Sequence, residues 1–479
     1  MPTPPQSLAT IFDDIVKAND VRGLVDSQLT EDVVGALGRA FAAAMAADGA
    51  TRVAVGYDMR ASSPVLARVF ADGVRASGLD VVDVGLCSTD ALYYGSGALA
   101  APGAMFTASH NPPQYNGVKL CRSLARPIGR DSGLAQIRAE AEHLLESAGG
   151  VLPPAAATGA VERFDLLSGY AAHLRSLVPG AGAGGRRLRV VVDAGNGMAG
   201  LTTPAVLGDA VGLPPLDLDV VPLYFELDGT FPNHEANPLD PANLVDLQRA
   251  VLEHRADLGL AFDGDADRCF VIDERGLAVS PSAVTALVAS REIVKEHAAG
   301  RPGVVIHNCI TSWSVPEVIA ECGGTAVRTK VGHAFIKKEM AERDAVFGGE
   351  HSAHYYFRDF WFADTGMLAA LHVLAALAEQ EGPLSALVAE YERYAASGEI
   401  NSRVADVGAA LAAVERRYAG AEGVSIDHLD GLTVANLAER WWFNLRPSNT
   451  EPLLRLNSEA ADPATMARLR DEVLAVVRG

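Results

Sequence analysis

The sequence predicts an α/β protein: three similar mixed α/β domains followed by a smaller C-terminal α+β domain. Three observations carry this expectation. A three-strand pattern recurs three times, each third strand runs directly into an unusual polar loop, and after about Ser397 the texture changes to short strands closed by one helix. At 479 residues the chain is also too long for one hydrophobic core, which favours several domains.

The first strands of the three units are Arg52–Gly56, Leu188–Asp193 and Gly303–His307, each leading into a helical pattern. The second are Leu79–Val84, Leu218–Val221 and Thr325–Thr329, and the third are Gly103–Thr107, Leu258–Phe262 and Ala345–Phe347. Continuous apolar strands alternating with helical stretches argue for parallel sheets covered on both faces. Pro153–Gly159 and Gly180–Gly185 read as linkers. The last domain is read as strands at Val424–Ile426, Leu432–Ala435, Arg440–Arg446 and Pro452–Asn457, then a helix at Pro463–Val477. The expected domains are residues 1–150, 160–272, 273–392 and 397–479.

Composition narrows the function. Apolar residues make up 49% and charged residues 21%, ordinary for a soluble globular protein. A net charge of −20 speaks against a nucleic-acid binder, yet a few Arg and Lys converging in a cleft can still hold a small phosphate ester. The five cysteines (Cys87, Cys121, Cys269, Cys309 and Cys322) are scattered and odd in number, which fits buried thiols in a reducing compartment. Met1–Asp20 has no basic-then-apolar leader pattern. Met367–Ala378 is about half the roughly 20 residues a bilayer span needs. A soluble, cytoplasmic protein is expected.

The polar loops carry the chemistry. Ser109-His110-Asn111-Pro112, Asp263 to Arg268 and Gly348 to His354 each follow a third strand. Ligands in open α/β sheets sit beyond the carboxyl ends of strands, so three such loops suggest one site assembled between domains. Asp263, Asp265 and Asp267 alternate along their loop. Two unit charges about 4 Å apart repel by about 4 kcal/mol at an effective dielectric near 20, so three clustered carboxylates want a cation. An EF-hand would also place them at its first, third and fifth positions, with Glu274 at its twelfth. Its sixth position must be Gly, but Arg268 stands there between strand-like flanks, so a hard ion such as Mg²⁺ completed by a phosphate oxygen fits better.

Ser109 alone reads better as a turn former. A Ser-His-Asp hydrolase is disfavoured, because adjacent Ser and His do not readily place imidazole on the hydroxyl and no G-x-S-x-G elbow exists. Phosphorylated, a serine here becomes both a metal ligand and a phosphoryl donor. A hairpin at Tyr115-Asn116-Gly117-Val118 is expected to return Lys119 towards this loop. Arg446-Pro447-Ser448-Asn449-Thr450 suits a phosphate cradle or a plain turn equally. Gly195-Asn196-Gly197-Met198-Ala199-Gly200 matches G-x-G-x-x-G, with Asp217 or Asp219 about 20 positions on. Asp193 and Ala194 intervene before the first glycine, and nothing else points to hydride chemistry.

Taken together, these segments resemble the α-D-phosphohexomutase family over essentially the whole chain. Thr107–Pro112 looks like its phosphoserine loop, Asp263–Arg268 its metal loop, Gly349-Glu350-His351-Ser352-Ala353-His354 its sugar loop and Arg446–Thr450 its phosphate loop. Asn19–Gly23 and Lys330-Val331-Gly332-His333 also match. The resemblance implies four domains around a central cleft. Mg²⁺ would be held by phosphorylated Ser109, Asp263, Asp265 and Asp267. Arg22, His110, Lys119 and Arg268 would surround the transferred group, with Lys119 moving a proton. Lys330, His333, Glu350, Ser352 and His354 would meet the sugar, and Arg446, Ser448, Asn449 and Thr450 the phosphate that is not reacting. His351 and Ala353 depart from other branches of the family, and Asn308–Trp313 stands where a lysine is often found.

The implied partners are hexose phosphates, with glucose 1,6-bisphosphate or mannose 1,6-bisphosphate as activator, no nucleic acid, no membrane, and a monomer or homodimer. The string Glu350–Phe357 looks most like the branch acting on mannose phosphates, then glucose phosphates, then glucosamine phosphates. Two other classes are a Mg²⁺-dependent sugar phosphatase with Asp263 as nucleophile, and a non-catalytic sugar-phosphate binder.

Overall fold

In the computed structural model, residues 7–153, 158–181, 185–447 and 453–479 are described. The chain divides into two compact units, residues 1–279 with 352–385, and residues 280–351 with 386–479. Residues 154–157 and 182–184 of the two expected linkers, together with Ser448, Asn449 and Thr450, lie outside the described residues.

The first unit opens with β1 (Val21–Leu24), β2 (Arg52–Tyr57), β3 (Asp80–Leu86), β4 (Gly103–Phe106), β5 (Tyr115–Arg122), β6 (Arg126–Pro127) and β7 (Val161–Arg163). Their order is β1-β5-β4-β2-β3-β7, with β6 beside β5. β2, β3, β4 and β7 run parallel, whereas β5 is antiparallel to both β4 and β1. Side-chain caps start the helices that cover the sheet. Thr30 accepts from Val33 N ahead of helix Glu31–Ala47, and Ser88 from Ala91 N ahead of Thr89–Ala98. Phe70 packs its ring against Phe41 and Phe106 at 5.7 and 5.4 Å between centroids, each burial adding about 1.5–3 kcal/mol.

The second sheet holds β8 (Leu188–Asp193), β9 (Leu218–Leu223), β10 (Leu258–Phe262), β11 (Cys269–Asp273) and β12 (Ala278–Val279), ordered β12-β11-β10-β8-β9. β8, β9 and β10 are parallel, and β11 turns back antiparallel on β10. In the second unit, β13 (Val304–Asn308) pairs in parallel with both β14 (Thr325–Thr329) and β15 (Phe347–Gly349). The chain then re-enters the first unit through the antiparallel pair β16 (Tyr355–Phe357) and β17 (Ala363–Asp364) and the buried helix Gly366–Ala378. There Asp90 is a polar hub, accepting from Ser88, from Tyr170 Oη at 2.6 Å and from Thr365 Oγ1 at 2.7 Å.

The C-terminal sheet comprises β18 (Ala395–Ala396), β19 (Ile400–Arg403), β20 (Val424–Asp427), β21 (Leu432–Asn436), β22 (Trp441–Pro447) and β23 (Leu453–Ala460), all paired antiparallel. Helices Val407–Tyr418 and Pro463–Arg478 pack on it. Three α/β domains and a smaller C-terminal domain are thus present, as expected.

Three details differ from expectation. The sheets are mixed, because the chain turns back antiparallel after β4 and after β10. Tyr115–Val118 is not a hairpin turn: Asn116 and Gly117 lie within β5, opposite Gly23 and Arg22. A Cβ on Gly117 would stand 2.3 Å from Val21 O and 2.9 Å from Thr107 O, so glycine serves close strand approach here. The turn instead occupies residues 109–114, and β5 still returns Lys119 beside β4. Finally, β15 begins two residues later than Ala345. Helix His333–Arg343 exits through left-handed Asp344, and Ala345 N remains bonded to Met340 O.

Candidate active site

In the first unit, loops at the carboxyl ends of β4 and β10 meet. Ser109 is 4% exposed and has φ 50°, a left-handed conformation uncommon outside glycine. Its N–H is fixed by Thr107 Oγ1 at 2.9 Å, and its Oγ donates to Asp263 Oδ2 at 2.8 Å. His110 Nδ1 lies 3.2 Å from the same Oγ and accepts from Arg268 Nη2 at 2.6 Å. Burial and the neighbouring Arg268 guanidinium hold His110 well below the ordinary histidine range, so the ring is neutral.

Asp263, Asp265 and Asp267 are all buried, with one oxygen from each lying within 4.8 Å of the others. Arg268 reaches Asp263 Oδ2 through Nε at 2.9 Å and Nη2 at 2.8 Å. Lys119 Nζ donates to Asp265 Oδ2 at 2.7 Å and Asp267 Oδ2 at 2.6 Å. Burial lowers the Lys119 pKa, but the two carboxylates outweigh it and keep the ammonium protonated. Burial raises Asp267, reinforced by Asp265, whereas Lys119 overcomes burial at Asp265 and holds it low. Crowding three carboxylates beside two cations makes full ionisation of the trio costly, so the buried group holds its charge only with further positive charge nearby. Asp265 Oδ1 and Asp267 Oδ1 are buried without a hydrogen-bond partner, which is the demand a hard divalent cation satisfies.

Arg22 joins the group through Asn111, whose Oδ1 accepts from Nη1 at 2.5 Å. Ser352 Oγ lies 3.0 Å from His354 Nδ1, and His354 Nε2 lies 3.8 Å from Asp267 Oδ1. His354 also forms an antiparallel bridge with Arg268. The first unit therefore gathers Arg22, Ser109, His110, Lys119, the three aspartates, Arg268, Ser352 and His354.

The second unit holds the other predicted residues. Glu350 is buried and accepts from Gly332 N at 3.1 Å and Asn308 Nδ2 at 3.3 Å, beside His333 at its helix start. Lys330 Nζ lies 5.8 Å from the Phe335 ring centroid. Arg446 is on β22, where Nη2 lies 3.6 Å from Glu399 Oε2.

Sequence reasoning missed two supports. Thr89 Oγ1 donates to Asp265 Oδ2 at 2.6 Å across 176 residues of chain, and Asn308 takes the position beside Glu350. The only local signals were that Thr89 opens the helix after β3 and that Asn308 closes β13.

A serine oxygen beside a neutral imidazole, with two cations and a carboxylate trio, suits chemistry that needs charge neutralisation and alignment more than covalent activation. That chemistry is metal-assisted phosphoryl transfer. Comparisons with known proteins narrow the class. Models for phosphoglucomutase/phosphomannomutase α/β/α domains I, II and III match residues 13–147, 168–276 and 281–394, and the model for the C-terminal domain matches 399–476. The chain is 41% identical to "Phosphohexose mutases" of Xanthomonas campestris over 97% of its length and 99% of that protein. It is 39% identical to a phosphomannomutase of Salmonella typhimurium over 96% of its length and 97% of that protein. Among solved structures, a phosphoglucomutase/phosphomannomutase family protein from Burkholderia thailandensis superposes with a TM-score of 0.82 at 29% identity, covering 98% of this chain and 97% of that one.

The chain belongs to the phosphoglucomutase/phosphomannomutase family of α-D-phosphohexomutases, magnesium-dependent isomerases that use a phosphoserine. Among the described residues no helix is long and apolar enough to cross a membrane.

Proposed function

We propose that the protein interconverts mannose 1-phosphate and mannose 6-phosphate through phosphorylated Ser109 and a hexose 1,6-bisphosphate. The observation that carries this reading is Ser109 Oγ donating to Asp263 within a buried carboxylate trio that has two oxygens unpartnered. Mg²⁺ held by Asp263, Asp265, Asp267 and the phosphoserine would neutralise charge on the moving group. The Ser109 O–P bond breaks as a hexose hydroxyl takes the phosphoryl group. After the bisphosphate turns over, its other phosphate returns to Ser109. Arg22 and Arg268 grip the transferred group, His110 orients the serine oxygen, and Lys119, kept protonated by its two carboxylates, gives its proton to Ser109 Oγ as the O–P bond breaks and regains one from the attacking hydroxyl. Lys330, His333, Glu350, Ser352 and His354 read the sugar, while Arg446, Ser448, Asn449 and Thr450 hold the distal phosphate. Residues 1–150, 160–272, 273–392 and 397–479 are the corresponding domains, and we place the enzyme in the cytoplasm.

The mannose preference is supported by the phosphomannomutases among the relatives, at 36–39% identity. Glucose phosphates are the second reading, favoured by the broader naming of the Xanthomonas relative. The test is turnover of mannose, glucose and glucosamine 1-phosphates to their 6-phosphates, with Mg²⁺ and a trace of glucose 1,6-bisphosphate, beside Ser109→Ala. Metal-dependent isomerisation should fall at least about a thousandfold in the variant, and the ratio of rates identifies the sugar. Release of inorganic phosphate that survives in Ser109→Ala would overturn the mutase in favour of a phosphatase.

A further inference from the structure

Arg60 lies just beyond β2 and is 1% exposed, among the largest fully enclosed side chains in the protein. A buried guanidinium is costly unless its N–H groups find acceptors. Here its four terminal bonds all go to one turn. Nη2 donates to the carbonyls of Ser109 at 2.9 Å and Asn111 at 2.7 Å. Nη1 donates to the carbonyls of Pro112 and Tyr115, both at 3.0 Å. Nε faces Asp58 Oδ2 at 3.3 Å, and the Phe231 ring covers Cζ with its centroid 5.1 Å away.

The turn so held, residues 109–115, connects β4 to β5 and carries Ser109 in its left-handed conformation. Its carbonyls converge on one planar cation instead of a neighbouring strand. Two site groups depend on it: Ser109 directly, and Arg22 through the side chain of Asn111. We infer that Arg60 is the positioning residue of the phosphoserine turn, setting the aim of the Ser109 oxygen without touching substrate. The inference rests on Ser109 being the phosphoryl carrier.

The molecule contains its own control. Arg175, on helix Leu167–Leu177, holds the carbonyls of Val206 at 2.7 Å, Gly208 at 2.6 Å, Ala205 at 3.4 Å and Pro214, all in a segment that supplies no site residue. Lysine keeps the charge at either position but concentrates three donors at one point, so it cannot span four carbonyls.

The test compares Arg60→Lys, Arg175→Lys and Ser109→Ala in the full chain, measuring kcat, KM for the preferred hexose 1-phosphate, and Tm. Misplacement of a reacting group by about 1 Å costs roughly a hundredfold in rate. Arg60→Lys should therefore lose about a hundredfold in kcat with KM within about threefold, while Arg175→Lys lowers Tm with kcat per folded molecule within about twofold. Should Arg60→Lys fail to fold, Phe231→Leu, which only loosens the guanidinium, should lower kcat several-fold at unchanged KM. If Ser109→Ala is inactive but Arg60→Lys (or Phe231→Leu in its place) keeps full kcat, the inference is overturned and the phosphoserine reading stands. Full activity in Ser109→Ala would remove both.

Discussion

Two loops in the same sheet look alike in sequence and do opposite work. β8 and β10 are parallel neighbours; β8 ends in Asp193 and β10 is followed at once by Asp263, each with a glycine within two residues. The loop after β8, Asp193–Gly200, satisfies its charge locally. Asp193 Oδ1 accepts from Gly195 N at 2.8 Å and Oδ2 from His234 Nε2 at 3.0 Å. The loop after β10 crowds Asp263, Asp265 and Asp267 together and leaves two buried oxygens unpartnered. Its neighbour's glycines support it. Met198 N donates to Gly264 O at 2.9 Å, and a Cβ on Gly197 would stand 2.7 Å from that oxygen. The G-x-G-x-x-G pattern thus serves close backbone approach, and the functional mark is unmet carboxylate charge.

The largest expected effect separates the two aspartates by function. Asp267→Asn should cut mutase activity at least about a thousandfold, roughly 4 kcal/mol of barrier, by weakening the metal site. It should leave the Tm of metal-free protein unchanged or raised, because burial and Asp265 already disfavour the charged carboxylate. Asp193→Asn should do the reverse, costing about 1.5–3 kcal/mol of stability with kcat per folded molecule within about threefold. Steady-state kinetics beside thermal melts would show it. Equal loss of activity in both variants would erase the contrast.

A smaller effect tests the contact between the loops. Gly197→Ala pushes a methyl group into the Gly264 backbone, between two proposed metal ligands. Outer-shell disturbances commonly cost 10–100-fold in metal affinity, so the Mg²⁺ concentration for half-maximal rate should rise about tenfold. Stability should fall by about 1–3 kcal/mol. A variant that is less stable but has unaltered Mg²⁺ dependence would show that the loop after β8 only fills space.

Much of this contrast was legible in the residues, for a physical reason. β8, β10 and β14 occupy the predicted bounds, β10 because its unbroken apolar run Leu258–Phe262 ends abruptly at Asp263. The aspartate trio was legible because its members sit two apart on one loop, a local signal. Strand direction was less so, since an apolar run reads the same parallel or antiparallel: the reversal into β5 was expected a few residues late, at Tyr115–Val118, and that into β11 was missed. Asn116-Gly117 carried a turn signature but was claimed by strand pairing with β1. Arg60 and Thr89 act on groups 49 or more residues away, and nothing local announces such partners.

The smallest effect comes from pH and probes how the loop after β8 neutralises its charge. Both ring nitrogens of His234 face acceptors, Nδ1 the Glu235 carbonyl at 2.9 Å and Nε2 Asp193 Oδ2 at 3.0 Å, an arrangement that only the imidazolium satisfies by donating twice. Burial lowers its pKa, but the bond and charge of Asp193, with Asp246 further off, outweigh burial and raise it above 6.5. The Tyr224 ring packs edge-on at 5.4 Å and brings no charge of its own at neutral pH. A histidine whose folded pKa is raised contributes stability that is complete below its unfolded pKa and fades as pH rises through the folded value. The Tm advantage over His234→Gln should therefore be full at about pH 5.5 and shrink by about 1–3 °C as pH rises towards 8.5. An advantage that stays constant across that range would mean that His234 is neutral, and that Asp193 is held by the Gly195 N–H and desolvated packing instead of by a counter-charge.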